Sequence, residues 1–191
     1  MGIAENLNSL LSDIESCIKC YKKFKNLSEK DRIRVRYWYN EGPWFFPPSE
    51  DSGVKGFLGT GEVFFVCQRP STRGNIPDQA DLLFYNLIKK YGFEDAHITD
   101  LVKCRGIAGE ISTWEMRNCL SYLEEEVRIL KPKLMIAVGR EVYEVLTEKP
   151  EFRPMHVEKI THYSHAFRYK KAAKLEEEFR RIKSLWKSKS F

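Results

Sequence analysis

Three short apolar runs, EVFFVC (62–67), HITDLVKC (97–104) and KLMIAVG (133–139), constrain this chain more than any other feature. None alternates apolar with polar residues, so each reads as a strand buried on both faces, the signature of a parallel sheet covered by helices. The intervening stretches have helical spacing. Leu82, Leu83, Leu87 and Ile88 form one stripe over 81–91, closed by Gly92. Met116, Leu120, Leu123, Val127 and Leu130 form another, opened by Ser112 and Glu115 at capping-box spacing. A helix over 141–146, a fourth strand over 156–161 and a charged helix over 171–187 with Leu175, Phe179, Ile182 and Trp186 facing inward complete the pattern. It predicts an α/β fold: a three-layer α/β/α sandwich with a central, mostly parallel four-stranded sheet. The 191 residues suit a single domain spanning 1–191.

Such sheets bind ligands where the carboxyl ends of the strands open into loops. Segments 67–79, 100–109 and 161–168 are the loops expected there. Upstream, Leu7, Leu10, Leu11, Ile14 and Ile18 predict an amphipathic helix over 3–25 that presents Cys17 and Cys20 one turn apart on one face. Residues 26–60, rich in Gly, Pro and aromatics, read as a long loop insertion that either packs its rings on the core or walls the ligand site. A formal charge of +5 is compatible with a polyanionic partner, and 13% aromatic residues supply stacking surface. No apolar run approaches the ~18 residues of a membrane span. The acidic, helical N-terminus does not resemble a secretion signal, so a cytoplasmic location is expected. In a reducing compartment the five cysteines suit ligation or burial better than disulfides.

Four cysteines have a spacing of interest: Cys17-x2-Cys20, a long gap, then Cys104-x14-Cys119. Tetrahedral zinc, an iron–sulfur cluster and unrelated buried thiols all remain open, with the split arrangement suiting a cluster better than a zinc ribbon. Cys67 has no partner in this pattern and no activating base, and reads as a packed thiol.

Taken in order, Cys-x-x-Cys, a strand entering a Pro-bearing loop, VKCR, Cys119, PKLMIAVG and HYSHAFR resemble the uracil-DNA glycosylase superfamily, and most of all its iron–sulfur family 4 branch. His162, Ser164 and Arg168 are spaced like that family's His-Pro-Ser-x-x-x-Arg segment. The resemblance implies a structural 4Fe–4S cluster on Cys17, Cys20, Cys104 and Cys119, with zinc as the alternative, and DNA as the partner of a monomeric protein. The motifs also depart from the family. Its Gly-Glu-x-Pro-Gly is here Cys67-Gln68-Arg69-Pro70-Ser71, so a glutamate has become an amide that cannot act as a base. Its base-reading asparagine is Asp100, its His-Pro-Ser is His162-Tyr163-Ser164, and no base-stacking aromatic is evident at 76–78.

Hydrolysis of an N-glycosidic bond needs a donor at the departing base's oxygen, a water near the sugar and a pocket for the flipped base. His162 is the expected donor, with Gln68 and Asp100 beside it as the other catalytic positions. Arg69, Pro70, Ser71, Ser164 and Arg168 are expected along the DNA, and Phe167 as the wedge that fills the duplex gap. An ionised Asp100 would only accept hydrogen bonds, which predicts recognition of a donor-bearing base rather than uracil. Two alternatives are a catalytically weak relative that binds nucleic acid without cutting it, and an iron–sulfur protein serving redox sensing or scaffolding.

Overall fold

The computed structural model describes residues 2–17, 19–20, 53–70, 78–103 and 113–189. Cys104, Ser71, Ser112, positions 76–77 and most of the 26–60 insertion lie outside them.

Four strands, β1 (Val63–Cys67), β2 (His97–Asp100), β3 (Leu134–Val138) and β4 (His156–Ile160), form one parallel sheet in the order β2-β1-β3-β4. Every residue of β1 and β3 is buried, which is why these runs are continuously apolar. Helices α2 (Gln79–Lys90), α3 (Thr113–Leu130) and α4 (Arg140–Glu148) follow β1, β2 and β3 in turn. A short α5 (Tyr163–Arg168) and the terminal α6 (Ala172–Ser188) follow β4, and α1 (Ile3–Glu15) precedes the sheet.

The pleat sends alternate residues to two cores. Val63, Phe65, Ile136 and Val138 pack against Phe84 and Ile88 of α2, Ala166 of α5 and Phe179 and Ile182 of α6. Phe64, Val66, Met135 and Ala137 pack against Leu7 of α1, Leu120 and Leu123 of α3, and Val142 and Leu146 of α4. The three-layer sandwich is therefore present, with a sheet that is wholly parallel. One close approach fixes the entry to β1: a Cβ on Gly59 would lie 2.1 Å from the Ala96 carbonyl oxygen, so only glycine fits there.

Three local expectations need correction. The first helix ends at Glu15 rather than near residue 25, because Ser16 Oγ donates to the Asp13 carbonyl and Cys17 N–H takes the Ile14 carbonyl in a tighter turn. Cys17 and Cys20 are thus not set by helical spacing. Strand β2 stops at Asp100 instead of running through VKC, because Lys103 Nζ folds back onto Thr99 Oγ1 and the Asp100 carbonyl, each at 2.7 Å. Segment 161–168, expected as a loop, is mostly the helix α5. Its N-cap is His162, whose ring nitrogen accepts from Ser164 N–H. Histidine is not among the residues that usually advertise a helix start. The described end of the insertion carries a 3-10 turn, Gly56–Leu58, with Phe57 buried against the His97 ring at 4.7 Å, so that aromatic serves the core.

Candidate active site

The strand order reverses direction between β1 and β3, and open α/β sheets place ligands at that switch point, outside the strands' carboxyl ends. A cleft of about 440 Å³ opens there, lined by Gln68 after β1, by Gly139, Arg140 and Glu141 after β3, and by His162 and His165 beyond β4. Gly139 caps α4 with φ 107°, a conformation glycine adopts without strain, and the His162 ring packs against it. Gly139→Ala is expected to cost about 1–2 kcal/mol in urea unfolding for that reason.

His162 is held in a defined state. Its Nδ1 accepts from Ser164 N–H at 3.2 Å and lies 2.8 Å from Ser164 Oγ. A backbone N–H only donates, so Nδ1 carries the lone pair and the neutral ring's proton sits on Nε2. Burial, with the nearby His165 adding to it, lowers the imidazole to about 4, so the ring is neutral at physiological pH. Its face stacks on Tyr163, which in turn stacks on Phe84 of α2 and bonds Asp81. Tyr163 is thus the packed anchor that stands where the family motif has proline.

Asp100 ends β2 fully buried beside Cys67, its register partner. Neither carboxyl oxygen has a hydrogen-bond partner among the described residues. Burial raises it to about 8; Glu126 and Asp81 push the same way, while Lys103 and Arg69 oppose. The accept-only carboxylate expected from the sequence is replaced by one that is mainly protonated at neutral pH.

Several other expected contacts are redirected. Arg69 turns inward onto Glu115 of α3, Nη2 to Oε2 at 3.4 Å with both side chains 11% exposed, rather than outward to phosphate. Pro70 is buried, and the Ser164 hydroxyl is engaged by His162. Phe167 is 50% exposed at the end of α5 and Tyr169, which sequence reasoning passed over, is 57% exposed beside it; Arg168 between them is exposed as well. Cys67 is buried in the core and its thiol is pushed well up by burial, as expected of a packed cysteine.

Beneath the site lies a charged network that the sequence does not reveal. His97, flanked by Phe57 and Phe64, meets Glu126 of α3 at 3.3 Å, and Lys103 Nζ lies 2.6 Å from the other oxygen of Glu126. A second surprise is Glu141, whose carboxylate accepts a hydrogen bond from the Gln68 amide. A carboxylate two residues past the strand-ending Gly139 was the available signal.

The cysteines converge in part. Cys20 and Cys119 hydrogen-bond each other, Asn118 Nδ2 lies 3.5 Å from Cys20 Sγ, and Tyr122 bonds Cys17. Through the Cys119 contact first, the Cys20 thiol is lowered to about 7, against the opposing effect of burial. That donor chemistry suits thiolate ligation by residues brought together from α3 and the segment after α1. Among the described residues no group of three or more donors is arranged around a metal, and the fourth expected ligand, Cys104, lies outside them.

A sequence model of the Uracil DNA glycosylase superfamily matches residues 56–187. The chain belongs to that superfamily. The match starts in the insertion's last turn and runs through β4, α5 and nearly all of α6, so it includes every element that lines the cleft. Among curated proteins, none matches this chain. Superfamily enzymes act on DNA and are generally N-glycosylases, which agrees with a cleft built around a neutral histidine. Among the described residues no helix is long and apolar enough to cross a membrane.

Proposed function

We propose that this superfamily member is a monomeric DNA glycosylase that swings a damaged or non-standard base from the stack and hydrolyses its N-glycosidic bond. The observation that carries this reading is His162: a neutral ring at the switch-point cleft, its Nδ1 occupied and its Nε2–H available. Such a donor stabilises negative charge developing on the base's oxygen without transferring a proton. Phe167 acts as the wedge and Arg168 as a phosphate contact, supported by their exposure beside the cleft. Incubation with oligonucleotides carrying a panel of modified bases, followed by alkali, tests the proposal: strand nicking at one base supports it. DNA binding without nicking favours a non-cutting relative, the reading to which Gln68 points. Phe167→Ala is expected to slow cleavage of duplex about 10-fold while leaving single-stranded substrate unchanged.

Base choice depends on the protonation state of Asp100. Protonated, its carboxyl offers one donor and one acceptor, as an amide does, and suits an edge with one of each, such as that of uracil or hypoxanthine. Ionised, it accepts only and favours amino-bearing bases. The preference therefore shifts as pH rises through about 8, and Asp100→Asn removes the shift, as rates on the two base types at several pH values would show. Stability follows the same proton. A folded-state value raised above the unfolded one gives a contribution that is full below about 4 and lost as pH rises through about 8. Asp100→Asn is thus expected to gain roughly 2–4 kcal/mol over wild type on going from acid to mildly alkaline buffer, read from urea curves.

Cys17, Cys20, Cys104 and Cys119 hold a 4Fe–4S cluster of structural role in this reading, supported by the Cys20–Cys119 contact and the lowered Cys20 thiol. A brown protein with about four iron and four sulfide per chain is the expected result; zinc in the same preparation would replace the cluster.

A further inference from the structure

Three positions expected at the site are poorly placed to take a proton at neutral pH. Gln68 is an amide and cannot take a proton. Ser164 occupies Nδ1 of His162, and Nε2 carries the ring's hydrogen. Asp100 ends a neighbouring strand fully buried, where its environment keeps it mainly protonated at neutral pH. Glu141 differs from all three. It is exposed, stands in the first turn of α4 two residues after the Gly139 against which His162 packs, and is the one carboxylate among the described residues lining the His162 cleft. The Gln68 amide binds its Oε2, orienting the carboxylate and leaving Oε1 without a protein partner among the described residues.

We infer that Glu141, held by Gln68, is the carboxylate that activates water and faces the positive charge of the sugar, a catalytic residue supplied from the end of the strand next to β1. This rests on the glycosylase reading. The bond between C1′ and the base nitrogen breaks with its electron pair leaving on the base, whose oxygen accepts the His162 Nε2–H hydrogen bond. The water oxygen bonds to C1′, and the water's proton passes to Glu141 and from there to solvent or the departed base. Gln68 acts through Glu141 and is a positioning residue. The geometry favours this division because the two side chains come from adjacent strands, β1 and β3, which meet at the switch point.

The test uses Glu141→Gln, which keeps the side chain's shape, and the exchange variant Gln68→Glu/Glu141→Gln, which restores a Gln–Glu pair with the roles reversed. Single-turnover release of whichever base the wild type cuts is expected to fall about 100-fold in Glu141→Gln with DNA affinity unchanged, and to recover at least in part in the exchange variant. A second readout does not depend on turnover. Affinity is compared for two oligonucleotides, one carrying a cationic pyrrolidine and the other an uncharged tetrahydrofuran at the target sugar. Wild type is expected to prefer the cation about 10-fold or more, His162→Ala to keep that preference, and Glu141→Gln to lose it. A Glu141→Gln protein that keeps both its rate and the preference overturns the inference while the glycosylase reading stands. A wild type that prefers the cation through Glu141 but releases no base supports the placement of the charge and overturns the glycosylase reading. A wild type that binds neither oligonucleotide and releases no base overturns both.

Discussion

Replacing His162 by Ala is expected to lower single-turnover base release by about 100- to 1,000-fold, the loss typical of a donor aimed at a developing oxyanion. The size follows from how the ring is prepared. Nδ1 is fixed as an acceptor by a backbone N–H, so the donor on Nε2 needs no reorganisation when charge develops. The ring is also desolvated, and burial that lowers its proton affinity to about 4 keeps it neutral. A value depressed below the unfolded one means that the stability contributed by the neutral ring is present above about 6.5 and lost as pH falls through about 4. Activity should accordingly show no histidine limb between about pH 5 and about pH 7, and Asp100 should impose one near 8. A pH–rate profile that bends at the ordinary histidine value would refute this account of the donor. Ser164→Ala keeps the backbone contact and removes only the hydroxyl, so it should cost less than about 10-fold, by hydrogen-bond magnitudes.

Lys103→Ala is expected to destabilise the protein by about 3–5 kcal/mol, because it leaves the buried Glu126 carboxylate with His97 as its remaining described partner and no cation on its other oxygen. Lys103 is 1% exposed and its ammonium serves Thr99, the Asp100 carbonyl and Glu126 together. Burial pushes Glu126 up, but the charges and hydrogen bonds of Lys103 and His97 outweigh it and hold the carboxyl below its usual range. Its stabilising contribution is therefore present above the unfolded carboxylate value and lost as pH falls through the folded one. Urea unfolding near neutral pH measures the loss. The double variant Lys103→Met/Glu126→Leu should recover much of it, since apolar side chains of similar volume carry no desolvation cost. Equal destabilisation in the single and double variants would show that packing, and not the loss of the cation beside Glu126, is responsible. The variant also bears on the site, because Lys103 pulls the chain out of β2 just after Asp100.

The layers of this fold were legible because burial on both faces leaves a direct imprint on composition. VFFVC and LMIAV are apolar throughout for the reason that helices cover both sides of the sheet. The inner stripes of α2, α3 and α6 followed from their spacing. The position of His162 was legible too, as a motif at the end of the fourth strand. Its chemistry was not, since nothing in HYSHAFR tells which ring nitrogen a backbone N–H will cap. Arg69 and Lys103 have the look of DNA-facing cations in a basic chain, yet both point inward to glutamates of α3 that are 46 and 23 residues away in sequence.

Sequence alone determined the sandwich, the strand-end placement of Gln68, Asp100 and His162, and the candidate thiols, because each depends on local pattern or on spacing along the chain. Tertiary structure decided which charges exist at neutral pH and which side chains meet: the protonated Asp100, the neutral His162, the Gln68–Glu141 pair and the buried Lys103–Glu126–His97 network. Those outcomes depend on desolvation and on partners delivered by other strands and helices, quantities that are properties of the folded arrangement and leave no mark on the residues individually.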